Sequence, residues 1–383
     1  MGDFAQSGLI CTLQQLNETH LERIEAELPA LTARCPVALI LPCHAVDLHG
    51  PAIHRLRAEL RGADWLSELV VSLNGLDAAG ARLAREFFGD LPRPVRVLWN
   101  DGPQLGPIHA QLGAPRFGKG LNVWAAIGLL GGTTAPAIIA TQDCDVASFR
   151  RSSLARLCYA CVHPELNFAF AKMYYPRVTD RLYGRVSRLF LAPLLQALIR
   201  VTGHQPLLDF LVSFRYPLAG EMALRRGLAE SLPWESGWGL EIAGLCETFR
   251  RVDPREICQV DGGSDYDHKH QPAQAALTAM CGAIAEALFA QLTAEGAVCD
   301  AEFRQAIERA FRRESADARR RYAALARMNA LPFDASVEEE TAEAFAGVIA
   351  GATTPPRQAL PAWETLRRER PEWVREYFAA SAA

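Results

Sequence analysis

The chain of 383 residues has a formal net charge of −4, and half of its residues are apolar while 22% are charged. That is enough apolar material for one large α/β domain with an elaborated C-terminal part, or for two domains, and it excludes a chain too polar to bury a core. So slight an acidic balance gives no field that would gather nucleic acid or coat an anionic membrane.

Residues 1–35 read as a helical lead-in, with Thr19 and Glu22 spaced as a capping box ahead of Ile24, Leu28 and Leu31. The apolar run Val37 to Leu41 predicts a first strand that stops at Pro42-Cys43-His44. A helix from about Pro51 to Arg61, a strand from Leu69 to Leu73 ended by Asn74-Gly75, a helix over 78–88 and a strand from Val95 to Trp99 follow. Strands alternating with helices at this spacing imply βαβ units and a mostly parallel sheet flanked by helices. A loop rich in Gly and Pro, Asp101 to Phe117, closes on Gly118-Lys119-Gly120 and opens a helix over 121–130.

Next comes Ala137-Ile138-Ile139-Ala140-Thr141-Gln142-Asp143-Cys144-Asp145, an apolar run that ends in two carboxylates one residue apart. It reads as a buried strand carrying Asp143 and Asp145 to its C-terminal edge, where open α/β sheets bind ligands; hard oxygen ligands there suit a divalent cation with a diphosphate. A second Asp-x-Asp, Asp265-Tyr266-Asp267, shows how little the pattern means alone; a strand-end turn with solvated aspartates is the plain alternative. Beyond it, Phe168 to Tyr175 alternates as a strand, 183–201 is helical, and Leu218 to Leu224 is a short strand or turn. The chain from Pro272 onward is mainly helical, for example Glu302 to Arg327, and Thr353-Thr354-Pro355-Pro356 suggests a flexible join to a last helix near Trp363.

The ten cysteines have no framework of short spacings and read as reduced, in the cytoplasm, with Cys158 and Cys161 as small buried hydrophobes. No export signal is visible, and the most apolar segment, Leu189 to Val201, is too short to span a bilayer, so no transmembrane segment is expected.

Four further stretches can carry chemistry. Gly118-Lys119-Gly120 lacks P-loop spacing, yet a lysine at a helix start can meet a phosphate or end as a solvated turn. Gly237-Trp238-Gly239-Leu240-Glu241 sets an acid at a helix start or in a cleft. Gly184-Arg185-Val186-Ser187 offers a guanidinium and a hydroxyl for a phosphate or carboxylate, or only a surface arginine. Asp261 to Gln271 packs His268 and His270 among aspartates, as part of an oxygen-rich metal site or as a polar loop.

In order, Pro42, Gly-Lys-Gly at 118–120, Asp-Cys-Asp at 143–145, Lys172-Met173-Tyr174, Gly184-Arg185-Val186-Ser187, Ala219-Gly220-Glu221, Gly237 to Glu241 and Tyr266 to His270 resemble the glucosyl-3-phosphoglycerate synthase group. These are retaining glycosyltransferases of GT-A fold, close to the mannosyl-3-phosphoglycerate synthases, and the resemblance spans about residues 36–290. It implies transfer of a hexose from a nucleotide sugar, UDP-glucose, to 3-phosphoglycerate or a related small acceptor, with Mg²⁺ or Mn²⁺. It implies a donor half over 36–150, an acceptor half over 151–275 and a helical region over 276–383 that self-associates as a homodimer. By position, Asp145 and His268 would bind the metal and Asp143 the donor sugar or ribose. Lys119 would bind the diphosphate, while Pro42, Cys43 and Asn74 would line the uridine pocket. Glu241 would lie beside sugar and acceptor, with Gly184, Arg185, Ser187 and His270 on the acceptor. Two departures stand out. His44-Ala45-Val46-Asp47 replaces an Asn-Glu-Glu type segment that touches the nucleotide, and Tyr266 and His270 replace the Arg and Asn near the metal histidine. The competing readings are a nucleotidyltransferase, a polyprenyl-phosphate sugar transferase and a non-catalytic nucleotide-sugar-binding protein.

Overall fold

Apolar runs without alternation imply strands covered on both faces, and the computed structural model contains them. It describes residues 5–17, 20–132, 135–263, 274–353 and 359–382. The strands are β1 (Cys11–Leu13), β2 (Val37–His44), β3 (Leu66–Asn74), β4 (Val95–Trp99), β5 (Ile138–Thr141), β6 (Phe170–Tyr174), β7 (Met222–Arg225), β8 (Trp234–Glu235), β9 (Ile257–Asp261) and β10 (Ala359–Leu360). Eight of them form one sheet in the order β1-β9-β6-β7-β5-β2-β3-β4, and β8 pairs with β10 separately. Every neighbour in the large sheet is parallel except β7, which runs antiparallel to both β5 and β6. The mostly parallel sheet expected from the sequence is therefore present.

Successive residues of each strand enter opposite cores. Ala38 and Ile40 pack with helices Lys119–Gly132, Ala192–Thr202, Pro206–Ser213 and Leu240–Phe249. Leu39 and Leu41 pack with His20–Thr32, Pro51–Arg61, Ala78–Phe88 and Arg151–Val162 on the other face. This period of two, with both faces apolar, makes strands such as Val-Ala-Leu-Ile-Leu uniformly hydrophobic.

Several elements differ from expectation. Strand β2 does not stop at Pro42 but runs on to His44. The Ile40 carbonyl accepts the Gln142 amide on the β5 side, and by alternation the missing Pro42 donor faces the same side, where β5 has already ended. The lead-in holds β1, a three-residue strand paired with β9 and too short to show a period. The loop after Asp101 contains a helix, Leu105–Ala110, and the C-terminus has two helices, Trp363–Glu369 and Pro371–Ser381, broken at Pro371. Thr19 and residues 354–358 lie outside the described residues, so neither the capping box nor the Pro355-Pro356 join is described.

The helix Gln274–Ala294 corrects the expectation that no segment is long enough to span a bilayer. Its 21 residues suffice by length and composition. It is apolar nearly all round because it lies between helices Leu240–Phe249 and Ala335–Gly351, with Cys281, Ile284, Leu288, Phe289 and Leu292 in the core. All ten cysteines are free thiols, and Cys158 and Cys161 are buried in helix Arg151–Val162.

The end of the chain is fastened beside the helix that carries Lys119. Trp363, fully buried, stacks on Trp124 at 4.7 Å and donates to the Trp124 carbonyl at 2.7 Å; Trp124 donates to the Pro361 carbonyl at 2.8 Å. Tyr377 adds a 2.6 Å bond to the Ala125 carbonyl. Through β10 the same segment pairs with β8, directly before the loop that leads to Glu241.

Candidate active site

Because β2, β3, β5 and β6 point the same way, their C-terminal ends deliver Cys43 and His44, Asn74, the Asp143 to Asp145 segment and Tyr175 to one edge of the sheet. Two cavities open there. One, of about 580 Å³, is lined by Pro42, Cys43, His44, Asp47, Asn74, Phe117 and Asn122. The other, of about 420 Å³, is lined by Arg177, Arg181, Tyr183, Gly184, Arg185, Ser187, Tyr216 and Glu241. They meet at Lys119, Asp143, Asp145 and Trp238, which border both.

Lys119 is the junction. Its Nζ donates to Asp143 Oδ2 at 2.8 Å, lies 2.7 Å from Oδ1, and reaches Glu241 Oε1 at 2.9 Å. Burial alone would lower its pKa, but the carboxylates of Asp143 and Glu241 outweigh this and hold it well above the ordinary lysine value. The ammonium is thus a fixed positive charge. Gly220 lies directly against Asp143 and Lys119, and a side chain there would overlap both.

Amides floor the first cavity. Asn122 Nδ2 donates to the Cys43 carbonyl at 3.1 Å, while Asn100 Nδ2 donates to Asn122 Oδ1 and Ser72 Oγ, both at 2.8 Å. Asn74 Nδ2 joins Asn122 Oδ1 at 3.3 Å, and Asn74 Oδ1, buried at the cleft, has no donor. An orphan acceptor of this kind suits an N–H group of a bound molecule. Cys144, between the two aspartates, is buried, and burial together with neighbouring Cys43 pushes its thiol well up.

Beneath the junction lies a buried charged layer. Glu221 accepts from Gln142 Nε2 at 3.1 Å and from the Tyr175 hydroxyl at 2.7 Å. Lys172, 1% exposed, donates to the Ala219 carbonyl at 2.5 Å and so anchors the turn before Gly220. Burial pulls the Lys172 ammonium down to about 8. The unfolded chain therefore binds more protons than the folded one between about pH 8 and 10.5, and stability must rise with pH across that window, by about 3 kcal/mol at most. Lys119, shifted the other way, contributes a loss only above 10.5. In urea unfolding, the advantage of wild type over Lys172→Met is expected to grow from pH 8 to 10.5; a constant difference would rule the shift out.

Of the residues singled out from sequence, Pro42, Cys43, Asn74, Lys119, Asp143, Asp145, Gly184, Arg185, Ser187 and Glu241 all border one or both cavities. Helix Leu240–Phe249 brings Glu241 in, and the π-helical turn Val186–Leu191 brings Ser187. His268 and His270 lie outside the described residues. Sequence reasoning passed over Asn122, Tyr175, Arg177, Arg181 and Tyr216. Tyr175-Pro176-Arg177 could have been found, because it follows a parallel strand at the binding edge.

Among the described residues no group of three His, Cys, Asp or Glu side chains is placed to hold a cation. Mg²⁺ commonly takes one or two carboxylates and completes its shell with water and substrate phosphates, so Asp145 at the junction fits such an ion.

The chain matches no protein-family model. Over 358 residues it is 36% identical to a glucosyl-3-phosphoglycerate synthase of Persephonella marina, covering 91% of this chain and 89% of that one. The structure of glucosyl-3-phosphoglycerate synthase from Mycobacterium tuberculosis with Mn²⁺, UDP-glucose and phosphoglyceric acid is similar at 24% identity and a TM-score of 0.52, over 74% of this chain and 88% of that one. Mannosyl-3-phosphoglycerate synthase from Rubrobacter xylanophilus is similar at 21% identity and a TM-score of 0.56, over 74% and 80%. The two structural likenesses speak for the fold alone.

Proposed function

Since the chain belongs to the glucosyl-3-phosphoglycerate synthase family and is a glycosyltransferase, we propose that it moves glucose from UDP-glucose to 3-phosphoglycerate or a closely related phosphorylated acceptor. The observation that carries this reading is the pair of cavities meeting at Lys119, Asp143 and Asp145. One cavity is floored by amides and the other is ringed by Arg177, Arg181 and Arg185. That division suits a nucleotide on one side and a small anion on the other.

On this reading residues 36–150 form the donor half and 151–275 the acceptor half. Pro42, Cys43 and Asn74 hold the base, and the orphan Asn74 oxygen accepts an N–H from it. Lys119 lies against the diphosphate and Asp143 against the donor sugar, with Glu241 beside sugar and acceptor. Gly184, Arg185 and Ser187 hold the acceptor. Asp145 holds Mg²⁺ or Mn²⁺, with His268, outside the described residues, as a second ligand. Such an ion supplies Lewis-acid neutralisation of the departing diphosphate. The ten free thiols agree with a reducing cytoplasm.

The protein's part is positioning and charge. The acceptor hydroxyl forms its bond to the anomeric carbon on the face from which the diphosphate leaves, and its proton passes to a departing phosphate oxygen, so configuration is retained. The Lys119 ammonium faces the oxygen on which negative charge grows. A nucleotidyltransferase, which also binds phosphates, could use an arginine-lined cavity; the 36% identity to a glycosyltransferase is what decides against it. The membrane-linked reading has one long apolar helix in its favour, but that helix gives Leu277, Met280 and Ile284 to the acceptor cavity.

The test incubates the protein and Mn²⁺ with UDP-glucose, GDP-mannose and other nucleotide sugars, each with 3-phosphoglycerate, glycerate or glycerol 3-phosphate. UDP release is expected only with UDP-glucose and a phosphorylated acceptor, and UDP with Mn²⁺ should raise the unfolding midpoint. Release with no pair, and no midpoint shift, would leave a non-catalytic protein.

A further inference from the structure

We propose that Glu338, from the helical region beyond residue 300, positions Arg185 for the acceptor and so makes the C-terminal region part of the acceptor site. This rests on the reading of the arginine-lined cavity given above. Glu338 is buried, with 4% exposure, in the first turn of helix Ala335–Gly351, whose N-cap Asp334 accepts the Ser336 and Val337 amides at 3.1 and 3.2 Å. Its carboxylate accepts Arg185 Nε at 3.0 Å and Arg188 Nη2 at 2.7 Å, with Arg188 Nη1 closing a second bond.

The two arginines are held very differently. Arg188 is buried and spends its other donors on the backbone, Nε to the Tyr183 carbonyl at 3.1 Å and Nη2 to that of Leu182 at 3.4 Å, with its guanidinium 5.4 Å from the Tyr322 ring. It is a structural cation that fixes the carboxylate. Arg185 is one-third exposed, borders the cavity, and gives Glu338 its Nε. A guanidinium is a rigid planar fork, so anchoring the Nε edge leaves the two terminal nitrogens on the far side, the arrangement that grips a phosphate or carboxylate with two bonds. The helix N-terminus favours an acidic side chain at this position, and Glu338 bridges the two guanidinium groups there.

Two other carboxylates bear on this cluster. Asp334 is near enough to Arg185 to be held below its ordinary value, chiefly by the Ser336 hydroxyl and to a lesser degree by that guanidinium. Glu339 is engaged by Arg319 at 3.2 Å. With glutamine at 338, Arg188 keeps its carbonyls, while Arg185 loses the charge that holds its Nε and is drawn toward Asp334. The anchor that aims it at the cavity is weakened.

Steady-state kinetics of Glu338→Gln with UDP-glucose and 3-phosphoglycerate test this. The acceptor KM is expected to rise about tenfold or more, the loss of one charge-assisted hydrogen bond's worth of orientation. The donor KM, and kcat at saturating acceptor, should stay within about threefold. Glu338→Asp, which keeps the charge on a shorter arm, should recover part of the acceptor KM, and it is read in place of the glutamine variant should that one not fold. Acceptor and donor KM moving together, or an unchanged acceptor KM, would overturn the assignment. A wild-type protein that transfers to no acceptor brings down the functional reading, and with it this inference, before any variant is made.

Discussion

Replacing Lys119 with methionine is expected to lower kcat by about a thousandfold, the scale seen when a preorganised charge facing a growing anion is removed. It should lower stability too. Asp143 and Glu241 now share one ammonium, at 2.8 and 2.9 Å, with side chains 18% and 9% exposed. Without it, two carboxylates face each other across a narrow cleft, and one must take up a proton or move apart. Breaking a buried ion pair on one side costs about 3–5 kcal/mol, and the quarter of the lysine side chain open to solvent puts the expected loss near the lower end. Pairing Lys119→Met with Glu241→Gln separates the two effects. Urea unfolding of the double variant should regain most of the lost stability, because one carboxylate is removed, while the catalytic effect is read from kcat of the single variant, since Glu241 itself borders the acceptor cavity. If the single variant kept kcat within about tenfold, Lys119 would be a structural cation only.

This expectation also shows what local sequence can carry. The strand runs at 37–41 and, but for Ser72, 69–73 were legible because a parallel sheet covered on both faces demands apolar segments, while the edge strand at 95–99, half-buried and interrupted by Arg96, was legible from its valines and its spacing after a helix. Asp143 was legible for the same reason, as the first carboxylate past such a run. What could not be read is the partner of each group. Lys119 and Glu241 are separated by 122 positions and meet only because the Leu240–Phe249 helix enters the sheet edge beside the Lys119–Gly132 helix. No periodicity encodes that meeting.

The C-terminal region makes the point more sharply. From the sequence, Thr353 to Pro356 suggested a flexible join, and the residues beyond 300 were given a part in self-association but none in the site. In the fold, Trp363 is fully buried on Trp124 and Glu338 anchors Arg185. Tryptophans in a short, charge-laced helix give no amphipathic signal strong enough to announce a docked strap, since two or three large side chains carry the contact. The antiparallel β7 was hidden similarly. Leu218 to Leu224 read as a short strand or turn, and only the pairing of Met222–Arg225 to β5 and β6 decides direction.

Gly120 carries the last expected result. Read locally, Gly118-Lys119-Gly120 set a lysine at a helix start, to meet a phosphate or end as a solvated turn. The structure gives Gly120 a different task. Its amide donates to the Ser236 carbonyl at 3.1 Å, and a Cβ there would overlap the Glu235 carbonyl oxygen and press on Ser236, all of it backbone. The first turn of the lysine helix and the segment just before Trp238 and Glu241 are thus in direct main-chain contact, with β8 held from behind by β10. Gly120→Ala cannot be absorbed by a side-chain rotamer, so one of the two segments must shift, and the Lys119 to Glu241 distance shifts with it. Misplacement of about 1 Å in a positioned site costs on the order of a hundredfold in rate, so kcat should fall by about that much. Stability should fall by about 1–3 kcal/mol, as for overpacking elsewhere. Gly227, with open space around its Cβ position, is the matched control: Gly227→Ala should leave kcat within about twofold. Kinetics and urea unfolding on the two variants read both quantities. An active Gly120→Ala would mean that the close approach of these backbones is incidental to the site. A hundredfold loss confined to Gly120 would show that a contact between main chains sets the spacing of the charged side chains on which catalysis depends.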